Sequence, residues 1–421
     1  MSEPEAVDLL VVGASELATP TGSQPRTGAS MNEISVLAGA AVAVRDGRIT
    51  AVDDESVLRE RFRPREVLDA QGGVLVPGFV DAHTHPVFAG TREEEFELRT
   101  RGATYVEISE AGGGILSSVR GVRSASAEVL ADSLTRRLDR FLCLGTTTVE
   151  AKSGYGLTLA DEKKSLEVIR DVDSAHPVDL VPTFLGAHDF PPEFRDRKAD
   201  YVDLLVEEML PDIAASRLAE YCDIFTESHV FGLKDSRRIL EAAKALGMRL
   251  RLHVDQLTPL GGAELAADLG ADSADHLEHV SEAGMESLRA AGVVAVLCPL
   301  VPLYLRQEQE VPGRAMIDRG VSVALATDFN PGSCYTQSLP EVMTWGALRL
   351  RMSAAECLTA VTLNAACSLG RGAEIGTLEV GKVADIVVID APNHLHLVYE
   401  FGWNPVRAVI KSGRVVHPRP A

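Results

Sequence analysis

The sequence predicts an α/β fold: a (β/α)8 barrel of the TIM type joined to a small β-sandwich built from both chain termini. Three observations predict it. Eight short apolar runs alternate with helical patterns between about residues 76 and 371, β-rich segments flank that region on both sides, and polar side chains gather where the eight runs end. A doubly wound parallel sheet is the competing architecture. It usually carries a glycine-rich phosphate loop after its first strand, and none is present here.

The N-terminal β segments are 7–12 and 40–52. The second, AAVAVRDGRITAV, reads as two strands around an Asp46-Gly47 turn. The barrel strands are expected at 78–83, 146–151, 180–185, 223–226, 249–253, 274–277, 293–297 and 321–326. Helical stretches separate most of them, as at 127–143, 160–174, 199–209, 235–246 and 265–269. The C-terminal strands are 384–389 and 406–416, the latter a pair hinged at Ser412-Gly413. The expected organisation is therefore residues 1–75 and 372–421 in the small β domain and 76–371 in the barrel.

With 421 residues the chain is long enough for a barrel and a smaller companion. Lys and Arg number 41 against 61 Asp and Glu, a net charge of −20. No basic stripe stands out, which argues against nucleic acid or an anionic membrane as partner. None of the six cysteines forms a CxxC pair, so they read as reduced thiols. The acidic start MSEPEAVDLL lacks a signal-peptide pattern, and no run approaches a membrane span. A cytoplasmic enzyme acting on a small molecule is expected.

The chemistry sits at the strand ends, where a barrel places its active site. His83 and His85 form an H-x-H after the apolar run GFVDA. Residues two apart on a strand share a face, so both imidazoles can reach one ion. His253 at the fifth strand and Asp328 at the eighth complete a His3Asp set that leaves coordination open for water. Other polar residues at strand ends are Glu150, Lys152 and Tyr155, then His188, Glu227, Gln256, Asp275, His276 and Glu278.

VPGFVDAHTHPVF, the histidines of the fifth and sixth strands, and ATDFNPGS resemble the amidohydrolase superfamily. Longer phrases, among them FAGTREEEFELRTRGATYVEI, EAKSGYGL and GGAELAADLGADSADHLEH, are similar to the branch that opens an imidazolone ring. The resemblance implies one zinc or iron ion per chain, with His83, His85, His253 and Asp328 as ligands, and a homodimer. No lysine ends the fourth strand, DIFTES, where binuclear relatives carry a carboxylated one. It also implies the reaction: cleavage of the cyclic amide C–N bond of 4-imidazolone-5-propanoate to N-formimidoyl-L-glutamate.

Asp328 is expected to move the water's proton, and His276 to hydrogen-bond the developing oxyanion. Arg92 is the candidate for the substrate's propionate, with Tyr155, His188 and Gln256 as further donors. By resemblance, Asn330, Gly332 and Ser333 line the bound product. Gln256 stands where base deaminases of the superfamily have a glutamate, and an amide is neither acid nor base near neutral pH. A purine or pyrimidine deaminase is thereby the second reading. A barrel that serves only as a scaffold would be expected to lose ligands, and this one keeps the set.

Overall fold

The computed structural model describes residues 4–103, 107–108 and 112–418. Seven strands come first: β1 (Glu5–Val12), β2 (Glu16–Thr19), β3 (Ser35–Ala38), β4 (Ala40–Arg45), β5 (Arg48–Asp54), β6 (Phe62–Asp69) and β7 (Val74–Pro77). The eight barrel strands follow: β8 (Phe79–Asp81), β9 (Thr146–Lys152), β10 (Asp179–Ala187), β11 (Tyr221–Thr226), β12 (Arg249–Val254), β13 (Ser273–His276), β14 (Val294–Leu297) and β15 (Val323–Leu325). Three strands end the chain: β16 (Ile386–Ile389), β17 (Val406–Lys411) and β18 (Arg414–His417).

β8 to β15 lie side by side in sequence order and pair in parallel throughout. The first and last meet at the mouth. Thr84 bridges Phe329 in parallel, His85 N–H donates to the Phe329 carbonyl (2.9 Å), and Asp328 N–H donates to the His83 carbonyl (3.1 Å). The eight predicted strands are all present, shifted by no more than two residues at either end.

The predicted helix at 199–209 is longer and less regular. Helical turns run Lys198–Leu204, a π-turn occupies Leu205–Met209, and a further helix spans Leu210–Ser216. Pro211 supplies no N–H to an α-helical ladder, and the wider turn before it accommodates that gap.

The other strands form two sheets, one ordered β5-β4-β1-β6 and one ordered β18-β17-β16-β7-β2-β3. The chain ends join where β16 pairs antiparallel with β7. Period-2 alternation explains the layering. Leu75, Ile386, Val388 and Ile410 face inward against Leu9, Val11, Val42 and Val44 of the first sheet. Their neighbours Val74, Val76, Val387, Ile389 and Val409 join the barrel core instead. The second sheet is thus apolar on both faces, which is why β16 reads IVVI with no polar alternation. Among the described residues, no helix is long and apolar enough to cross a membrane.

Candidate active site

The strand ends bring four donor atoms together. His83 and His85 follow the end of β8 at Asp81, His253 sits near the end of β12, and Asp328 follows β15. Asp328 Oδ1 is 3.5 Å from His83 Nε2 and 3.4 Å from His85 Nε2, while His253 Nε2 is 3.3 Å from His85 Nε2. All four side chains are buried.

His83 and His253 each have a further carboxylate at Nδ1. His83 Nδ1 lies 2.6 Å from Asp275 Oδ2, and His253 Nδ1 lies 3.1 Å from Asp223 Oδ1. Such contacts hold the Nδ1–H tautomer and turn the Nε2 lone pair inward. His83 Nε2 is buried with no hydrogen-bond partner among the described residues. Two Nε2 atoms this close, with a carboxylate oxygen alongside and a buried nitrogen lacking a partner, suit a divalent cation.

Electrostatics agree with that fit at His85, His253 and Asp328, whereas His83 must give up a proton to bind. Burial pushes the His253 imidazole down to about 3 and that of His85 well below its usual range, so both are neutral near pH 7. Burial also acts to lower His83, but the Asp275 and Asp328 carboxylates outweigh it and raise the ring to about 9. Burial would raise Asp328, and the neighbouring His83 and His85 rings hold it well below the carboxylate range instead.

Behind the donors lies a buried ionic layer. Arg251 donates to Asp275 (3.2 Å) and to the Ala82 carbonyl (2.7 Å). Lys152 donates to Glu150 (2.8 Å) and Asp223 (2.7 Å). Burial alone would lower the Lys152 ammonium, but Asp223 and Glu150 leave it raised. Sequence reasoning named neither Asp223 nor Arg251. The available signal was a charge within a strand buried along nearly its whole length, in YCDIFT and in RLRLHV.

A cavity opens above the four donors, walled by Arg92, Tyr155, His188, Gln256, His276, Asn330 and Ser333. The His188 ring stacks on His85 with centroids 5.0 Å apart, and its Nδ1 lies 2.9 Å from the Gly154 carbonyl. Burial lowers His188 to about 4. Tyr155 stands between Gly154 and Gly156, whose N–H groups both donate to the buried Glu162 carboxylate. Gln256 follows Asp255, a residue at φ +50° whose carboxylate accepts four backbone N–H bonds from Leu260 to Ala263. These carboxylates fix the loops that carry the cavity's polar tips.

Arg92 lines the cavity and is also ion-paired with Glu95 (2.6 Å), which in turn accepts from Gly114 N–H (3.1 Å). The side chain thus has two placements, in the cavity wall and in an ion pair with the helix that follows it. Gly332 lies behind Arg92: a Cβ there would fall 2.2 Å from a guanidinium nitrogen. The Asn330 side chain is engaged by its own loop, accepting from Gly332 and Ser333 N–H and donating to the Asp328 carbonyl. Ser333 Oγ donates to Asp328 Oδ2 (3.0 Å). His276 sits beside His83, ring centroids 5.0 Å apart, at φ +78°. Its Nδ1 lies 3.8 Å from the buried Glu278 carboxylate. A non-glycine residue in the left-handed region is uncommon, and Asp328 at φ +50° is another at this mouth.

A parallel barrel with a His/Asp cluster at the carboxyl ends of its strands defines a class of hydrolase, and residues 74–416 match the model of the Amidohydrolase family. The chain belongs to that family. An imidazolonepropionase of Symbiobacterium thermophilum is 51% identical over 414 residues, covering 97% of each chain. An imidazolonepropionase of Solibacter usitatus is 50% identical over 406 residues, covering 96% of this chain and 97% of that one. Within the family the chain stands among the imidazolonepropionases. Solved structures share the fold. A zinc-bound adenosine deaminase from Xanthomonas campestris aligns with TM-score 0.75 at 24% identity, over 98% of this chain and 93% of that one. A 5-methylcytosine deaminase from Klebsiella pneumoniae aligns with TM-score 0.74 at 19% identity, over 98% of each.

Proposed function

We propose that the chain hydrolyses 4-imidazolone-5-propanoate to N-formimidoyl-L-glutamate in histidine degradation. We assign it one ion per chain, Zn2+ or Fe2+/Fe3+, held by His83, His85, His253 and Asp328. The observation that carries the reading is the convergence of two donor groups that share His83, one with His85 and His253 and one with His276 and Asp328, beneath a polar cavity, in a chain about half identical to proteins named imidazolonepropionase. Residues 76–371 form the catalytic barrel and residues 1–75 and 372–421 its companion β domain. A cytoplasmic homodimer acting on this small molecule, with neither nucleic acid nor membrane as partner, is the matching expectation from the family resemblance.

When bound, a divalent ion supplies Lewis acidity, which lowers the pKa of a water toward neutrality and polarises a carbonyl. Asp328 accepts the attacking water's proton on its carboxylate, which Ser333 steadies from the other oxygen. Oxygen bonds to the ring carbonyl carbon while His276 donates toward the carbonyl oxygen. The C–N bond then breaks, and Asp328 returns the proton to the departing nitrogen. Arg92 faces the propionate, and Tyr155, His188 and Gln256 orient the ring. A charge-assisted hydrogen bond is worth roughly 1.5–3 kcal/mol, so Arg92→Ala is expected to lower kcat/KM on the order of 10- to 150-fold. Unchanged steady-state kinetics would remove Arg92 from the site.

Proton release offers a second check. Metal ligands must be deprotonated. With His83 raised to about 9 and His85 and His253 already neutral, zinc entering metal-depleted protein at pH 7.5 should displace about one proton from the ligands, and up to one more from a water whose pKa the ion lowers. Calorimetric titration in two buffers of different ionisation enthalpy counts it. Three protons, or none, would contradict these charge states.

A base deaminase is the rival reading. Gln256 opposes it, because the proton-shuttling glutamate of that chemistry is missing. An ammonia assay during turnover separates the two: ring opening releases none, whereas deamination releases one per cycle.

A further inference from the structure

Lys152 is fully buried at the end of β9 and contributes no atom to the cavity wall. Its ammonium lies between two carboxylates that lead to different parts of the metal site. Glu150 holds it with Oε1 (2.8 Å), and Glu150 Oε2 accepts from the N–H of Thr84 (3.1 Å), the residue between His83 and His85. The backbone ties run both ways: Thr84 Oγ1 donates to the Glu150 carbonyl (2.6 Å), and Lys152 N–H donates to the Thr84 carbonyl (3.2 Å). Asp223 holds the ammonium with Oδ2 (2.7 Å), and its Oδ1 faces His253 Nδ1 (3.1 Å).

A buried ion triad is a poor way merely to fill a barrel. Desolvating three charges costs several kcal/mol each, and apolar side chains of similar volume commonly serve stability as well or better. What the triad adds is direction: it ties the main chain of the H-x-H segment and the imidazole of His253 to one point charge.

We propose that Lys152 is a positioning residue for the metal, fixing three of the four donors, His83, His85 and His253, through Glu150 and Asp223. This rests on the assignment of those residues and Asp328 as the ligands. Lys152 sets how tightly, and in what geometry, a divalent ion is held.

Lys152→Met alone leaves two buried carboxylates without their cation, so the primary variant is the charge-balanced Lys152→Met/Glu150→Gln. Asp223→Asn and the triple variant Lys152→Met/Glu150→Gln/Asp223→Asn complete a cycle. Zinc affinity is read by chelator competition and donor geometry by the visible bands of the cobalt(II)-loaded protein, with circular dichroism reporting the fold. Loss of a residue that orients metal ligands typically weakens binding 10- to 100-fold. The charge-balanced variant and Asp223→Asn should each fall about that far and shift the cobalt bands. The triple variant should bind no more weakly than the worse of these, because the two changes act in series. Wild-type affinity and cobalt bands in the folded charge-balanced variant would overturn the proposal. Variants that stay unfolded with or without zinc would also overturn it, by assigning Lys152 to the fold. Wild-type protein that binds no ion would refute the ligand assignment itself, whereas equal binding by wild type and variants would refute only the role of Lys152.

Discussion

Asp328→Asn should abolish turnover and strip the site of its ion while leaving the barrel folded. Asparagine tolerates the left-handed backbone that Asp328 adopts at φ +50°. It can still bridge β15 to the H-x-H segment through its N–H and the His83 carbonyl. The lost negative charge is the one that His83 and His85 face at 3.5 and 3.4 Å. Removing a ligand and the proton acceptor together should cost at least about 10⁴-fold in kcat, since general-base catalysis alone contributes 10² to 10⁴. His83→Ala should behave alike. Metal analysis of the purified variants, with kcat measured under added zinc, checks both. An Asp328→Asn enzyme that keeps one ion per chain and a tenth of wild-type activity would show that neither role belongs to this residue.

The second large effect is expected at His276. Its ring lies beside His83, but it has no place among the four ligands assigned, so His276→Ala should retain the ion. Turnover should nevertheless fall roughly 10²- to 10³-fold, the usual cost of losing one oxyanion donor. The loss should appear in kcat with little change in KM, because the bond strengthens only as charge develops on oxygen. Gln256→Ala gives the contrast: KM should rise, kcat should change little, and the acidic limb of the pH profile should persist, since an amide does not titrate there. If that limb vanishes in Gln256→Ala but survives unchanged in His276→Ala, the division of labour is wrong.

Much of this was legible in the sequence. The barrel was readable because each strand is a short apolar run bounded by turn residues, and the H-x-H because a strand's period places both rings on one face. The small sheets were harder. β6 reads FRPREVLD, with a proline, several charges and mostly solvent-facing positions, so no alternation marks it. β2 and β7 are four residues each, too short to show a period.

The ionic layer was hidden for a different reason. That Asp223 meets His253 depends on β11 lying beside β12 with Phe225 opposite His253. Likewise His253 stands opposite Asp275 across β12 and β13, and Asp275 reaches His83, just beyond β8, across the barrel interior. Register and closure are three-dimensional facts with no local signature. The Arg92–Glu95 contact, by contrast, is a pair three residues apart and was readable from spacing alone.

The central claim is that this site adds one water across the ring amide of an imidazolone bearing a propionate. The most direct measurement is mass spectrometry of the product from freshly prepared 4-imidazolone-5-propanoate, turned over by the metal-loaded enzyme in 18O-labelled water. The account predicts N-formimidoyl-L-glutamate with a single heavy oxygen, in the carboxylate formed from the ring carbonyl. Product that has lost nitrogen as ammonia, or substrate returned unchanged by a fully metal-loaded enzyme, would contradict it.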